Sequence, residues 1–362
     1  MNFPITTAIV LFVVSIAASI LINRILLKFS KNLGVRTNNN ADLIRWSPTQ
    51  KPSLGGISFF LVFLLTVGFA GYLGETSGIL ENKSILGLLV ATTIGFFLGL
   101  ADDAYNTIPW VKFLGQFVCG IVLVVFGVVI EISPFVWLNY VFTVLWVVGL
   151  MNSLNMLDNM DAITTSVSLI VILICLVISV LTSSINQTLL FVLIGVAGAL
   201  FGFMVYNWHP SKMIMGDSGS QFLGAFTAAI SIIYMWQFRD ADARGIQVRQ
   251  FIIPLLAFIM PIVDTVTVVI RRLARKQSPF VGGKDHTTHH LAYLGLKDNY
   301  VALVFILISI VSAVLIYISV SFIEEWKYWY SGLLVFYCLA VFFIIQVLYV
   351  KGSDKHLSKS AD

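Results

Sequence analysis

Six aspartates, Asp102, Asp103, Asp158, Asp161, Asp217 and Asp264, lie at or near the ends of long apolar runs. A carboxylate at bilayer depth costs several kcal/mol, so acids in so apolar a chain mark places where water, a metal ion or a substrate meets them. Asp102 and Asp103 are adjacent and are followed by Lys112. Neighbouring carboxylates repel, so a cation or a shared proton must relieve them, which suits one of the pair to general-base work. Asn152, Asn155 and Asp158 recur every three residues, with Asp161 three further on. On a helix end this spacing lines up amide and carboxylate oxygens, the ligand chemistry preferred by Mg²⁺.

Two further groups carry polar chemistry. Gly216 and Gly219 bracket Asp217 where a helix begins, and the free N–H groups of residues 217–220 suit a phosphate. Asp264 precedes the basic pair Arg271 and Arg272, and beyond them come His286, His289 and His290. Histidines at i, i+3 and i+4 share one helical face, able to meet a metal or diphosphate oxygens. Zinc is disfavoured, because no cysteine lies near and the surrounding acids prefer a hard ion.

The elements that must position these groups are membrane helices. Of 362 residues, 58% are hydrophobic and 11% charged. The apolar runs have the ~17–25 residues of a helix crossing a bilayer and lack the alternation of a barrel strand. They fall near 4–27, 54–74, 85–101, 113–131, 134–151, 163–183, 188–206, 219–238, 251–271, 299–322 and 328–350. The fold expected is an all-α polytopic membrane protein with about 11 transmembrane helices, its N-terminus outside and its C-terminus cytoplasmic. Seventeen of the 22 Lys and Arg residues then fall on the cytoplasmic side. Arg239, Arg244 and Arg249 go against this locally, beside Asp240 and Asp242.

The same topology puts every glutamate outside and most aspartates at the inner rim, and the shorter acid suits a fixed cation site. Residues 1–350 read as a single membrane domain and 351–362 as a short, disordered cytoplasmic tail. Cys119, Cys175 and Cys338 lie within spans, where packing is their expected role. The net charge of +4 follows the positive-inside bias and does not imply nucleic-acid binding. An ion-coupled transporter would also bury acids in a helix bundle, but near the midplane on broken helices.

In order, Pro52-Ser-Leu-Gly55-Gly56, Asp102-Asp103, Lys112-Phe-Leu-Gly-Gln116, Asn152-x-x-Asn155-x-x-Asp158-x-x-Asp161, Met215-Gly216-Asp217-x-Gly219-Ser220, Pro261-x-x-Asp264 and Ser278-Pro-Phe before the histidines span residues 45–295. This ordered set resembles the polyprenyl-phosphate N-acetylhexosamine-1-phosphate transferases, which include the undecaprenyl-phosphate GlcNAc-1-phosphate transferases and the phospho-N-acetylmuramoyl-pentapeptide transferases. The resemblance implies Mg²⁺-dependent transfer, with Mn²⁺ as a possible substitute, of a sugar-1-phosphate from a UDP-N-acetylhexosamine to undecaprenyl phosphate. UMP would be released on the cytoplasmic face of a bacterial inner membrane, starting a cell-envelope glycan.

Carried over by position, Asp217 and Asn155 are the implied metal ligands and Lys112 a diphosphate contact. Asp102, with Asp103 beside it, is implied to deprotonate the lipid phosphate, and Asp161 to contact uracil. Asn152, Asp158, Asp264, Arg271, Arg272, His286, His289 and His290 fall among the implied substrate contacts. A homodimer is implied as well. Two departures stand out: Ile214 occupies a position where many relatives carry a phenylalanine, and the relatives' compact histidine triplet is spread over residues 286–290. The latter, with the Ser-Pro-Phe element, leans towards GlcNAc over the muramoyl-pentapeptide branch.

Overall fold

The computed structural model describes residues 5–32, 51–73, 82–182, 186–238, 246–279, 283–323 and 325–361. Arg36, Arg45, Arg239, Arg244, Asp240 and Asp242 lie outside the described residues. The chain is helical, with α1 (Ile5–Asn32), α2 (Gly55–Leu73), α3 (Lys83–Tyr105), α4 (Pro109–Val125), α5 (Val136–Leu157), α6 (Ile163–Leu181), α7 (Gln187–Asn207), α8 (Gly216–Ser231), α9 (Arg249–Ala257), α10 (Ile259–Ala274), α11 (Thr287–Tyr293), α12 (Asp298–Ser321) and α13 (Tyr328–Ala361). Among the described residues, eight helices are long and apolar enough to cross a membrane, or nine if α9 and α10, bent by 79°, form one span.

That count is lower than the eleven apolar runs suggest. With 17 residues α4 is short, and α8 has only 16 before the chain continues as a π-helical segment, Ile232–Trp236. The bend between α9 and α10 falls at Phe258, four residues after Pro254, whose ring interrupts the helical ladder. The segment read as a disordered tail instead continues α13 as helix to Ala361.

Helix ends follow local chemistry. Asn82 caps α3 by accepting from Ile85 N–H, and Asn186 caps α7 by accepting from Leu189 N–H. Asn106 closes α3 in the left-handed region, and Pro109 opens α4 where its missing N–H costs nothing.

The central element is α8, packed against α3, α5 and α2. Every α8 residue except Asp217 is buried. Lipid is as apolar as leucine, so helices in a membrane associate through close packing, and small residues make that possible. Phe60 stacks on Phe96 with centroids 3.9 Å apart, while Phe59, Phe63, Phe222 and Phe226 fill the seam between α2 and α8. Beside that seam, α3 meets the polar end of α8 through glycine: a Cβ on Gly99 would overlap the Asp217 carbonyl group.

Gly99→Ala is therefore expected to force α3 away from α8 and to destabilise the protein by about 1–3 kcal/mol. Gly149→Ala, inside α5 where nothing lies within 4 Å of the added methyl, should be neutral to mildly stabilising. Thermal unfolding in detergent checks this, and a Gly99→Ala protein melting with the wild type would contradict the packing.

Candidate active site

The start of α8 is held from three sides. Ile214 N–H donates to the Pro52 carbonyl (3.1 Å), and the N–H groups of Gly55 and Gly56 donate to the carbonyls of Ile214 (3.1 Å) and Met215 (2.9 Å). The Pro52–Gly56 motif thus staples the turn preceding Asp217, and Ile214 serves it through its backbone. Gly216 has φ +76°, a conformation few side chains tolerate, and its missing Cβ leaves room for the Asp103 carboxylate. That carboxylate caps α8 from another helix, accepting from the N–H groups of Asp217 (3.0 Å) and Ser218 (2.9 Å).

Two expectations change here. The N–H groups of Asp217 and Ser218 are engaged by Asp103, so they are not open to phosphate. Asp102 and Asp103 do not share a proton or cation, because each has its own partner. Asp102 turns the other way, accepts from Thr107 N–H (2.9 Å) and Oγ1 (2.6 Å), and forms an ion pair with Lys112. Lys112 Nζ also lies 3.9 Å from Asp217 Oδ1.

Opposite them, at the end of α5, the Asn155 amide donates to Asp217 and, at 2.9 Å, to Ser220 Oγ. Asp158 forms the cap after α5. Burial, reinforced by the charges of Asp217, Asp103 and Asp161, holds its carboxyl well above the usual carboxylate range. Asp102, Asp103, Asp158 and Asp217 therefore gather around Lys112, an excess of acid that favours a bound positive charge.

Among the described residues, no three His, Cys, Asp or Glu side chains form a group able to hold a metal by themselves. The residues present nonetheless fit a hard divalent ion that keeps water and phosphate as its remaining ligands. Asp217 is the single α8 side chain reaching the surface, and the Asn155 amide offers its oxygen to the same point by a half-turn. Asn152 belongs to a different set: its amide donates to Gln116 Oε1 (2.7 Å), and Gln116 Nε2 donates to Asn152 Oδ1 and Gln221 Oε1, both at 3.2 Å. These three amides sit one helical turn from Asn155, Lys112 and Asp217, respectively.

Asp161 is a separate hub. It accepts both contacts from Lys51 (2.9 Å each), Ser211 N–H (3.0 Å) and Ser211 Oγ (2.7 Å), and meets His209 Nδ1 at 3.1 Å. Burial would raise its pKa, but Lys51 and Ser211 outweigh it and leave the carboxyl below the usual range. Sequence reasoning passed over Lys51, His209 and Ser211. The signal was available, since Lys51 directly precedes the Pro52–Gly56 motif.

On the far side, fully buried Asp264 meets His286 Nδ1 (2.9 Å) and accepts from Thr287 N–H (2.8 Å) and Oγ1 (2.6 Å), fixing the start of α11. Arg272 makes a two-pronged pair with Asp285 (2.8 and 2.6 Å), a partner sequence reasoning overlooked. Thr288 Oγ1 donates to Asn159 (2.6 Å), tying α11 to the end of α5. The three histidines do not form one face: His286 precedes the helix in extended backbone, His289 packs against it at 5.5 Å, and His290 turns to stack on Tyr349 at 3.6 Å.

Burial first, then the neighbouring His286, lowers His289 to about 3, and burial with Arg271 lowers His290 to about 4. Both are neutral at pH 7, so they can donate or accept hydrogen bonds but carry no charge. Unfolded histidine binds its proton below about 6.5. The unfolded state therefore gains protons first as pH falls, and the stability present above that value is lost on acidification. The melting temperature in detergent should fall between pH 7 and pH 5, and fall less in His289→Gln. An equal fall in both proteins would contradict the assignment.

Residues 85–235 match the model of the family described as Glycosyl transferase family 4. Over 295 residues, 79% of this chain and 76% of the relative, the sequence is 30% identical to a Bacillus subtilis protein described as "Probable undecaprenyl-phosphate N-acetylglucosaminyl 1-phosphate transferase". It is 27% identical to the decaprenyl-phosphate N-acetylglucosaminephosphotransferase of Mycobacterium leprae, over 70% of each chain. It is 28% identical to the phospho-N-acetylmuramoyl-pentapeptide-transferase of Carboxydothermus hydrogenoformans, over 85% of this chain and 95% of that one.

Proposed function

As this chain belongs to the polyprenyl-phosphate N-acetylhexosamine-1-phosphate transferases of glycosyl transferase family 4, and is thus a phosphoglycosyl transferase, we propose that it moves N-acetylglucosamine-1-phosphate from UDP-GlcNAc to undecaprenyl phosphate. The observation that carries this reading is the grouping of Asp217, Asn155, Lys112 and Asp102 at one polar end of a lipid-facing bundle.

In the proposed reaction an oxygen of the lipid phosphate attacks the sugar-bearing phosphorus of the donor. The bond to the bridging oxygen breaks, and UMP leaves with that oxygen. The products are UMP and a lipid-linked diphospho-sugar. Both reactants are anionic, so the protein must offset charge as they approach. Asp102, beside Lys112, takes the proton of the lipid phosphate when that phosphate arrives protonated. Lys112 then faces the phosphates, and Arg271, Arg272 and the α11 histidines form the donor side.

Asp217 and Asn155 would hold Mg²⁺, which supplies neutralisation of phosphate charge when bound. We favour direct attack by the lipid over a phosphorylated aspartate. The arrangement of positive loops supports a cytoplasm-facing site in a bacterial inner membrane.

The GlcNAc assignment draws on the histidine spacing and on the names of the Bacillus and Mycobacterium relatives. The purified full chain, incubated with undecaprenyl phosphate and a panel of UDP-sugars, should release UMP with UDP-GlcNAc. Release only with UDP-MurNAc-pentapeptide would move it to the other branch, and release with none would overturn the reading.

A further inference from the structure

A helix the length of α13, 34 residues, is ~50 Å long and outruns the ~30 Å hydrocarbon core. Its polar end lies along α11 and α10. Tyr349, 1% exposed, is wedged between two groups assigned to the donor side: its ring stacks on His290 at 3.6 Å, and the Arg271 guanidinium lies 4.1 Å from its centroid. One turn before it, Gln346 accepts from Arg271 (3.2 Å) and donates to Thr267 on α10. One turn beyond, Gly352 abuts the His290 backbone so closely that a Cβ would overlap its carbonyl group. Lys355 Nζ donates to the Leu294 carbonyl (2.7 Å), closing the end of α11, and His356 stacks on Tyr293 at 4.1 Å and 4°.

These contacts follow one face of α13, at 346, 349, 352 and 356, and they converge on a seven-residue helix too short to hold its own position. Asp264 fixes only where α11 begins. Thr288 ties its first turn to Asn159, and its last turn, from His290 to Leu294, is held by the extension of α13.

We propose that the polar extension of α13 is a positioning element for the sugar-nucleotide donor, in which Tyr349 and Gly352 set the placement of His290 and Arg271. This rests on the reading above that α11 and Arg271 face the donor. Tyr349 acts through those groups and is a positioning residue. Its ring is what matters, so Tyr349→Phe should preserve the effect.

The test uses the full chain in detergent, measuring UMP release while UDP-GlcNAc and undecaprenyl phosphate are varied separately. Tyr349→Ala and Gly352→Ala are expected to raise the donor KM roughly 10-fold or more with the acceptor KM within about twofold of wild type, since misplacing a binding group by an ångström carries costs of that order. Tyr349→Phe should match wild type. His290→Ala and Arg271→Ala, run alongside, separate the two claims. If they raise the donor KM while Tyr349→Ala and Gly352→Ala do not, or if the latter move both KM values together, the positioning role is wrong and the donor-side reading stands. If neither His290→Ala nor Arg271→Ala changes the donor KM, the donor-side reading falls and this inference with it. Should Tyr349→Ala fail to fold, Gly352→Ala carries the same comparison, because it displaces α11 without opening a cavity.

Discussion

Asp217→Ala is expected to lower UMP release on the order of 10³-fold while leaving the protein folded, because it removes the carboxylate proposed to hold the cation that offsets phosphate charge. The fold should survive, since the cap of α8 uses the backbone N–H groups of Asp217 and Ser218, which the substitution leaves in place. Asp217→Asn separates charge from shape and should be nearly as inactive. A folded Asp217→Ala protein retaining wild-type turnover, measured as UMP released per minute, would remove Asp217 from the mechanism.

The second large effect belongs to Asp102. Asp102→Asn keeps an acceptor for Thr107 but leaves the half-buried Lys112 ammonium without its closest counter-charge, and it removes the group assigned to take the acceptor's proton. A loss of roughly 10²–10⁴-fold in UMP release is expected, the range associated with removing a general base. Lys112→Met should also lose most activity, and the double variant should be no worse than the poorer single one, because the two side chains act as a unit. Multiplicative losses would show that they act independently. Asp103→Asn should behave differently, with a lowered melting temperature reflecting its role as a cap.

The difference between these adjacent aspartates shows what the sequence conveyed and what it did not. The acids at helix ends, the stripe 152–155–158 and the glycines around Asp217 were legible, because charge within an apolar chain and helical spacing are local signals. The division of labour between Asp102 and Asp103 was not, because the partners of Asp103 are backbone groups at 217 and 218, more than a hundred residues away. Likewise the spacing of His286, His289 and His290 suggested one face only if all three were helical. Asp264 instead draws His286 into extended backbone before α11 begins. Residues 351–361 read as an unstructured tail because they are polar. They are helical because Gly352 and Lys355 meet His290 and Leu294, contacts that no local pattern announces. The apolar runs identified the helices, but among the described residues only eight or nine have the length and composition of a full crossing, since α4 has 17 residues and α8 passes into a π-helical segment after 16.

The central claim is that Asp217 and Asn155 hold a divalent cation where the two anionic reactants meet. Titration of the purified protein with Mn²⁺, a Mg²⁺ stand-in followed by electron paramagnetic resonance, tests it most directly. Wild type is expected to bind an ion that added Mg²⁺ displaces, and Asp217→Ala to bind none at the same concentrations. Equal binding by the two proteins would contradict the account.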